Sequence, residues 1–248
     1  MHHFFIAPDQ VKDGCCFITG QDVNHIRNVL RMKPGDQVEV RDGISRNYRG
    51  ELLTIGRDQV CVRILSEEEG SSELPARIYL FQGLPKGDKM DWIIQKAVEL
   101  GVYQVIPMRT RRTVVKLEPK KEQARLRRWN AIAEGAAKQS GRVVVPKVRG
   151  IIPFHEACAQ AAGFGRSLIP YELAEGIEAS RAALRDICPG MEVGVLIGPE
   201  GGFDIEEVEQ AKAAGIRPVT LGRRILRTET AGMAALSILM FHLENDVR

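Results

Sequence analysis

Two glycine-rich stretches carry the residue types that a ligand site needs: VLIGPEGGF at 195–203 and VTLGRRILRTETA at 219–231. In the first, Pro199 fixes one backbone angle while Gly201 and Gly202 free the next, so the turn can offer its amides to a polar ligand. No GK[ST] closes this turn and it does not read GxGxxG, which argues against nucleoside triphosphates and dinucleotides. Asp204 and Glu207 have capping-box spacing at the start of DIEEVEQAKAA, and the acids of that helix make the joint a poor phosphate site. In the second stretch, Ile225 and Leu226 interrupt a run of arginines, Arg223, Arg224 and Arg227. Apolar residues in a loop cover either core or the flat face of a ligand. The arginines suit an anion or a nucleobase oxygen, against the simpler reading of surface charge.

A third group is basic. Arg109, Arg111, Arg112 and Lys116 share one loop; Lys120, Lys121, Arg125, Arg127 and Arg128 lie on the next helix with Trp129; Lys138, Gln139, Ser140 and Arg142 follow. Lysine and arginine bind phosphates, and Trp129 is either core or a stacking surface for a base. The five histidines are too scattered to predict a metal site, and no Ser or Cys has the pattern of a nucleophile with its base.

The elements that must position these residues alternate from Ala76 onward. RIYLFQG, VYQVIPM, VVVPKV, RSLIPYE, VGVLIG and PVTL read as strands separated by helical stretches. Asp88 is the expected N-cap and Gly101 the expected C′ residue of the helix in DKMDWIIQKAVELG, and Pro119 opens the long basic helix. Thr228 and Thr230 open the last helix, with Ala231, Ala234, Ala235, Ile238 and Leu239 as its core stripe. Such alternation predicts an α/β domain with a mostly parallel, doubly wound sheet. Ligands of open α/β sheets bind at the carboxyl ends of strands. The expected site therefore gathers Tyr171 and Glu172, the turn 198–203 and the loop 222–227.

The first 70 or so residues differ: short strands at regular spacing predict a compact β-barrel. One helix interrupts them, with Val23, Ile26, Val29 and Leu30 on its inner face. The acidic stretch SEEEGSSELP reads as a linker, giving expected domains at 1–72 and 76–248. Net charge divides unevenly along the 248 residues: −3 over 1–74, +11 over 75–150 and −5 over 151–248. A basic middle between acidic flanks points to a polyanion-binding face. No apolar run is long enough to span a membrane, and MHHFFIAPDQ lacks the features of an export signal. Cys15, Cys16, Cys61, Cys158 and Cys188 have no CxxC spacing, as expected of reduced thiols in a cytoplasmic protein.

LIGPEGGF followed by LGRRILRTETA closely resembles the paired C-terminal motifs of the ribosomal RNA small subunit methyltransferase E family, within the SPOUT superfamily. HIRNVLRMKPGDQVEVRDG, KGDKMDWIIQKAVELGV and RWNAIAEGAAKQSGR are similar to further segments of that family; Lys138 stands where the family's AxEQSxR segment has its Glu. The resemblance implies an N-terminal PUA-like β-barrel that docks RNA and a C-terminal SPOUT α/β domain with a parallel sheet and a deep trefoil knot. It implies transfer of a methyl group from S-adenosyl-L-methionine to N3 of a uridine in the 16S rRNA of the 30S subunit, by a homodimer with no metal. Carried onto this chain, the cofactor would be held by Tyr171, Glu172, Ile197, Gly198, Glu200, Gly201, Gly202, Leu221, Gly222, Ile225, Leu226, Thr230 and Ala231. Arg227 and Arg112 would be catalytic, stabilising charge on the uracil, with Arg112 or Arg142 acting from the partner subunit or on RNA phosphate. Arg109, Arg111, Arg112, Arg128, Lys138 and Arg142 would bind RNA. A non-catalytic ribosome assembly factor with the same RNA-binding face is the competing expectation, and an oxidoreductase lacks its fingerprint.

Overall fold

The computed structural model describes residues 2–69, 72–115, 118–174 and 176–245. It divides into two compact units, Met1–Glu73 with Ala137–Val145, and Leu74–Ala136 with Pro146–Arg248.

In the first unit, β1 (His2–Phe5), β2 (Val11–Lys12), β3 (Cys15–Thr19), β4 (Gln37–Arg41), β5 (Arg46–Ile55) and β6 (Gln59–Glu69) form one sheet in the order β1-β4-β5-β6-β3-β2. Only the β1–β4 pair is parallel. Alternate residues of these strands, such as Val38, Val40, Leu52, Val60 and Val62, close over Ile18, Val23 and Ile26. The inserted helix is not α-helical throughout. After α1 (Gln21–Asn24) the chain winds as a π-helix over His25–Val29, with the Leu30 amide donating to the His25 carbonyl at 2.9 Å. The wider winding rotates Val29 out of the expected inner face, leaving it 62% exposed while Ile26 stays buried.

The second unit holds β7 (Arg77–Gly83), α2 (Lys89–Glu99), β8 (Gln104–Arg109), α3 (Pro119–Ser140, which runs on into the first unit), β9 (Lys147–Val148), β10 (Ile152–Pro153), α4 (Phe154–Ala162), β11 (Arg166–Pro170), α5 (Ile177–Arg185), β12 (Glu192–Ile197), α6 (Ile205–Ala213), β13 (Arg217–Val219) and α7 (Thr228–Asn245). Its sheet runs β10-β8-β7-β12-β11-β13, with β9 also on β8, and every pair is parallel. Central strands buried on both faces need continuous apolar runs, and Val193, Val195, Leu196 and Ile197 of β12 are all buried. On one face Leu196, Phe81 and Ile169 pack with Phe154 and Cys158 of α4 and with Phe203 and Val208. The Phe154 and Phe203 rings lie 5.5 Å apart.

The cap at Asp88 and the inner stripe of α7 differ in detail from the sequence pattern, and the alternative at Trp129 is decided. Asp88 sits at the start of α2 without a side-chain cap bond; its carbonyl instead accepts from the Asp91 amide. Trp129 is 2% exposed, so it is core rather than a stacking surface. In α7, Ala235 and Leu239 are buried with Leu236 and Leu243, whereas Ile238 is 42% exposed.

Candidate functional site

Because β12, β11 and β13 are adjacent and parallel, their carboxyl ends at Ile197, Pro170 and Val219 emerge on one edge. A cavity of about 470 Å³ opens there, within the range of small-molecule sites. Tyr171, Glu172, Ile197, Gly198, Glu200, Gly201, Gly202, Leu221, Gly222, Ile225, Leu226 and Ala231 all line it, with Arg112 and Arg227. Thr230 is not among the lining residues and is exposed; Thr228, one half-turn earlier, is buried and lines the cavity. Position in the helix decides between them, because residues two apart on a helix point to different sides.

The turn after β12 is held from several directions. The Gly202 amide donates to the Pro199 carbonyl at 2.9 Å, and Gly202 has φ +67°, a conformation that L side chains rarely adopt. Thr228 Oγ1 donates to the Gly198 carbonyl at 2.6 Å and accepts from Gln82 Nε2 at 2.9 Å. Gln82 is fully buried at the end of β7, so the relay ties the turn and the start of α7 to the middle of the sheet. Beside it, Gly83 is a close approach: a Cβ there would stand 2.6 Å from the Pro199 nitrogen and Cδ.

Glu200 faces α2. Its carboxylate accepts from the Lys86 amide at 3.0 Å and pairs with Lys89 Nζ at 3.0 Å, while the same ammonium lies 3.5 Å from Glu229. Burial alone would raise the Glu200 carboxyl; its own backbone N–H, Lys89 and the Lys86 N–H outweigh that and hold it below the ordinary value. Those pairs hold Lys89 above its ordinary value in turn, the bond to Glu200 foremost. One lysine thus links the GPEGGF turn to the RTETA segment.

The second loop is pinned at its base. The Thr220 amide donates to Ser180 Oγ at 2.8 Å, the Tyr171 amide to the Val219 carbonyl at 3.0 Å, and the Gly222 amide to Thr220 Oγ1 at 3.2 Å. Beyond this anchor the loop is open: Ile225 is 85% exposed, covering nothing within the chain. Arg224 and Arg227 line the cavity with exposed side chains and have no ion-pair partner among the described residues.

The remaining basic residues are mostly paired. Arg112 reaches the site itself, with Nη1 donating to the Gly201 carbonyl at 2.9 Å and Nη2 lying 3.5 Å from Asp204. Arg111 pairs with Glu206 and lies 3.6 Å from Asp204. The acids at the start of α6, which disfavour phosphate, instead hold this arginine loop. Arg109 pairs with Glu122 at 2.7 Å and Arg128 with Asp91 at 2.5 Å, both with exposed guanidinium groups. In the first unit Lys138 pairs with Asp22 at 2.9 Å. Arg142 is 3% exposed and salt-bridged to Glu73, whose Oε1 also accepts from the Val143 and Val144 amides at 3.1 Å each. Its guanidinium therefore organises a chain segment and is not presented at the surface of this chain. Lys116 lies outside the described residues.

The sequence pattern of the RNA methyltransferase domain matches residues 72–240, and that of the RNA methyltransferase PUA domain matches 18–65. Ribosomal RNA small subunit methyltransferase E of Bacillus subtilis is 37% identical over 250 residues, spanning 98% of each chain. The chain belongs to the ribosomal RNA small subunit methyltransferase E family. Among solved structures, a family member from Neisseria gonorrhoeae bound to S-adenosyl methionine superposes with a TM-score of 0.84 at 33% identity over 97% of each chain. A Legionella pneumophila protein in complex with its cofactor SAM gives 0.82 at 32% identity over 96% of each. Against this family background, Lys89, Gln82 and Thr228 are the residues to which motif reading gave no part in the site, whereas Arg224 lines the cavity as one of the arginines it singled out. Lys89, inside the KGDKMDW segment, and Gln82 lie over 100 residues before the loops they contact, so residue spacing could not pair them with the site; Thr228 lies within the second motif itself.

No group of three or more His, Cys, Asp or Glu among the described residues is arranged to hold a metal. No described helix is long and apolar enough to cross a membrane.

Proposed function

We propose that this protein methylates N3 of a uridine in the 16S rRNA of the small ribosomal subunit, using S-adenosyl-L-methionine. The observation that carries the reading is the cavity at three parallel strand ends, walled by two glycine turns and rimmed by cationic side chains. Its make-up fits the cofactor: Ile197, Leu221, Leu226 and Tyr171 give apolar wall for a flat base, and the GPEGGF turn brings backbone and the Glu200 carboxylate for a charged, polar end. When bound, S-adenosyl-L-methionine supplies a methyl group activated by its sulfonium. The chain's own residues must then turn a weakly acidic uracil N3 into a nucleophile. Positive charge held near O2 and O4 lowers the cost of the anion, and Arg227 and Arg112 are the residues assigned that role. Arg227 suits it because no acid among the described residues already neutralises it.

The same reading takes Tyr171, Glu172, the glycines of both turns, Ile225, Leu226 and Ala231 as cofactor contacts, with Thr228 in place of Thr230. Arg109, Arg111 and Arg128 remain the RNA contacts on the second unit; each must exchange its acidic partner for phosphate. Residues 1–72 as a PUA-like barrel for RNA, residues 76–248 as a knotted SPOUT domain, a homodimer and a cytoplasmic location complete the proposal by family inheritance. Incubating the protein with labelled cofactor and 30S particles from cells lacking this gene, then mapping the labelled base, tests it. Label at a uridine N3 supports the reading. Cofactor binding without label transfer refutes it in favour of an assembly factor.

A further inference from the structure

Glu207 does not line the cavity, yet it is 3% exposed with both carboxylate oxygens in use. Oε2 accepts from the Asp204 amide at 2.9 Å, completing the capping box of α6. A capping box asks only that one bond of its glutamate. Oε1 instead accepts from the Arg111 amide at 2.8 Å, on the loop that follows β8 and 96 residues earlier in the chain. That loop is tight in its own right: the Thr110 amide donates to Thr113 Oγ1 at 2.9 Å and the Thr113 amide to the Thr110 carbonyl at 3.0 Å. One buried carboxylate therefore joins two backbone segments, and Arg112 is the next residue along. Its guanidinium bonds the Gly201 carbonyl, and a Cβ on Gly201 would lie 3.2 Å from the Arg112 Cβ. Exposed Arg111 and Arg112 also pair with acids of the same helix end, but at 59% and 46% side-chain exposure those pairs are screened by water. The buried bonds of Glu207 are not.

We propose that Glu207 is a positioning residue that fixes the arginine loop against the cofactor turn, so that the charge of Arg112 stands at the mouth of the cavity. The inference rests on the reading of that cavity as the methyl-transfer site. Without the pin, the loop keeps its internal turn but loses its register on α6, and Arg112 samples solvent instead of one place. A geometry loss of this kind acts on the rate with bound substrates more than on cofactor affinity, because the cofactor turn has its own supports at Thr228 and Glu200.

The test is a double-mutant cycle on Glu207→Gln and Arg112→Ala. Glutamine keeps the shape but offers one carbonyl oxygen, so it cannot serve both amides. Single-turnover methylation at saturating cofactor and RNA, and calorimetric affinity for S-adenosyl-L-methionine, are read on each variant. The expected result is an approximately tenfold slower rate for Glu207→Gln with cofactor affinity within about threefold of wild type. Arg112→Ala should then cost less than about twofold more in the Glu207→Gln background, although it is costly alone. Losses that multiply in full would overturn the inference while leaving the site reading intact. An Arg112→Ala rate equal to wild type would instead refute the role of Arg112 and the inference with it. Glu207→Asp, shorter by one methylene and still charged, gives the same cycle if the glutamine variant fails to fold. Amide exchange of residues 110–113 reads the pin without any chemistry: exchange no faster in Glu207→Gln than in wild type would also overturn it.

Discussion

Thr228→Val should sever the strut between the sheet and the GPEGGF turn. Valine fills the same volume but can neither donate to the Gly198 carbonyl nor accept from Gln82 Nε2, bonds of 2.6 and 2.9 Å at a residue 5% exposed. Gln82 keeps its second bond, to the Gly83 carbonyl at 2.9 Å, whereas the Gly198 carbonyl loses its side-chain donor. One net hydrogen bond contributes about 1 kcal/mol, and the part-buried Gly198 carbonyl left without this donor costs about 1–2 kcal/mol more, so a loss of about 2–3 kcal/mol is expected. For a unit of this size that corresponds to a melting temperature about 5–10 °C lower. Thr228→Ser is the control: it keeps the hydroxyl and loses one methyl group, about 1 kcal/mol. Differential scanning calorimetry of the three proteins reads stability, and titration with S-adenosyl-L-methionine reads the turn. The valine variant should bind at least about fivefold more weakly than the serine variant, because the turn carbonyl is free to swing. If valine and serine variants melt together and bind alike, the strut is not what holds the turn.

Other outcomes follow from the same geometry. Arg227→Ala should slow single-turnover methylation about 100-fold while leaving cofactor affinity near wild type, and an unchanged rate would remove Arg227 from the mechanism. Gly83→Ala, outside the cavity, should abolish cofactor binding measured by calorimetry, since its methyl would sit 2.6 Å from the Pro199 backbone and something must shift. Lys89→Met should weaken cofactor binding about fivefold, a modest effect because the lysine side chain is 36% exposed; no change would show that Glu200 holds the turn through the Lys86 amide alone. Glu200 has a folded value below its ordinary one, so its contribution is fully present above the ordinary carboxylate value and is lost as pH falls through the lower folded value. Cofactor affinity should accordingly not fall through protonation of Glu200 between neutral pH and the ordinary carboxylate range, and Glu200→Gln should remove the acid-side loss below it.

Much of the architecture was legible because it is periodic. Strand and helix alternation from Ala76 onward, the capping box at Asp204 and Glu207, and the two glycine turns are all local patterns, and local hydrogen bonding and sterics set them. The strand-end rule put Tyr171, Glu172, the turn 198–203 and the loop 222–227 together, and all of them but Arg223 line one cavity. Local pattern failed where winding or pairing was at issue. The π winding, which turns Val29 outward while Ile26 packs with residues of the first sheet, and the burial of Trp129 have no marker in residue spacing.

The sequence by itself determined which loops line the strand-end cavity and that a basic segment stands upstream of them, because glycine, proline and charge act through their own chemistry wherever they fall. Only the tertiary structure decided which basic residues remain available. A guanidinium is a phosphate ligand or a structural strut according to the carboxylate that folding brings beside it. Glu73 claims Arg142, while Arg224 and Arg227 are left at the cavity with no acidic partner among the described residues. The same holds for support from outside the two loops: Gln82, Lys89 and Glu207 act through space on segments that no spacing rule pairs with them.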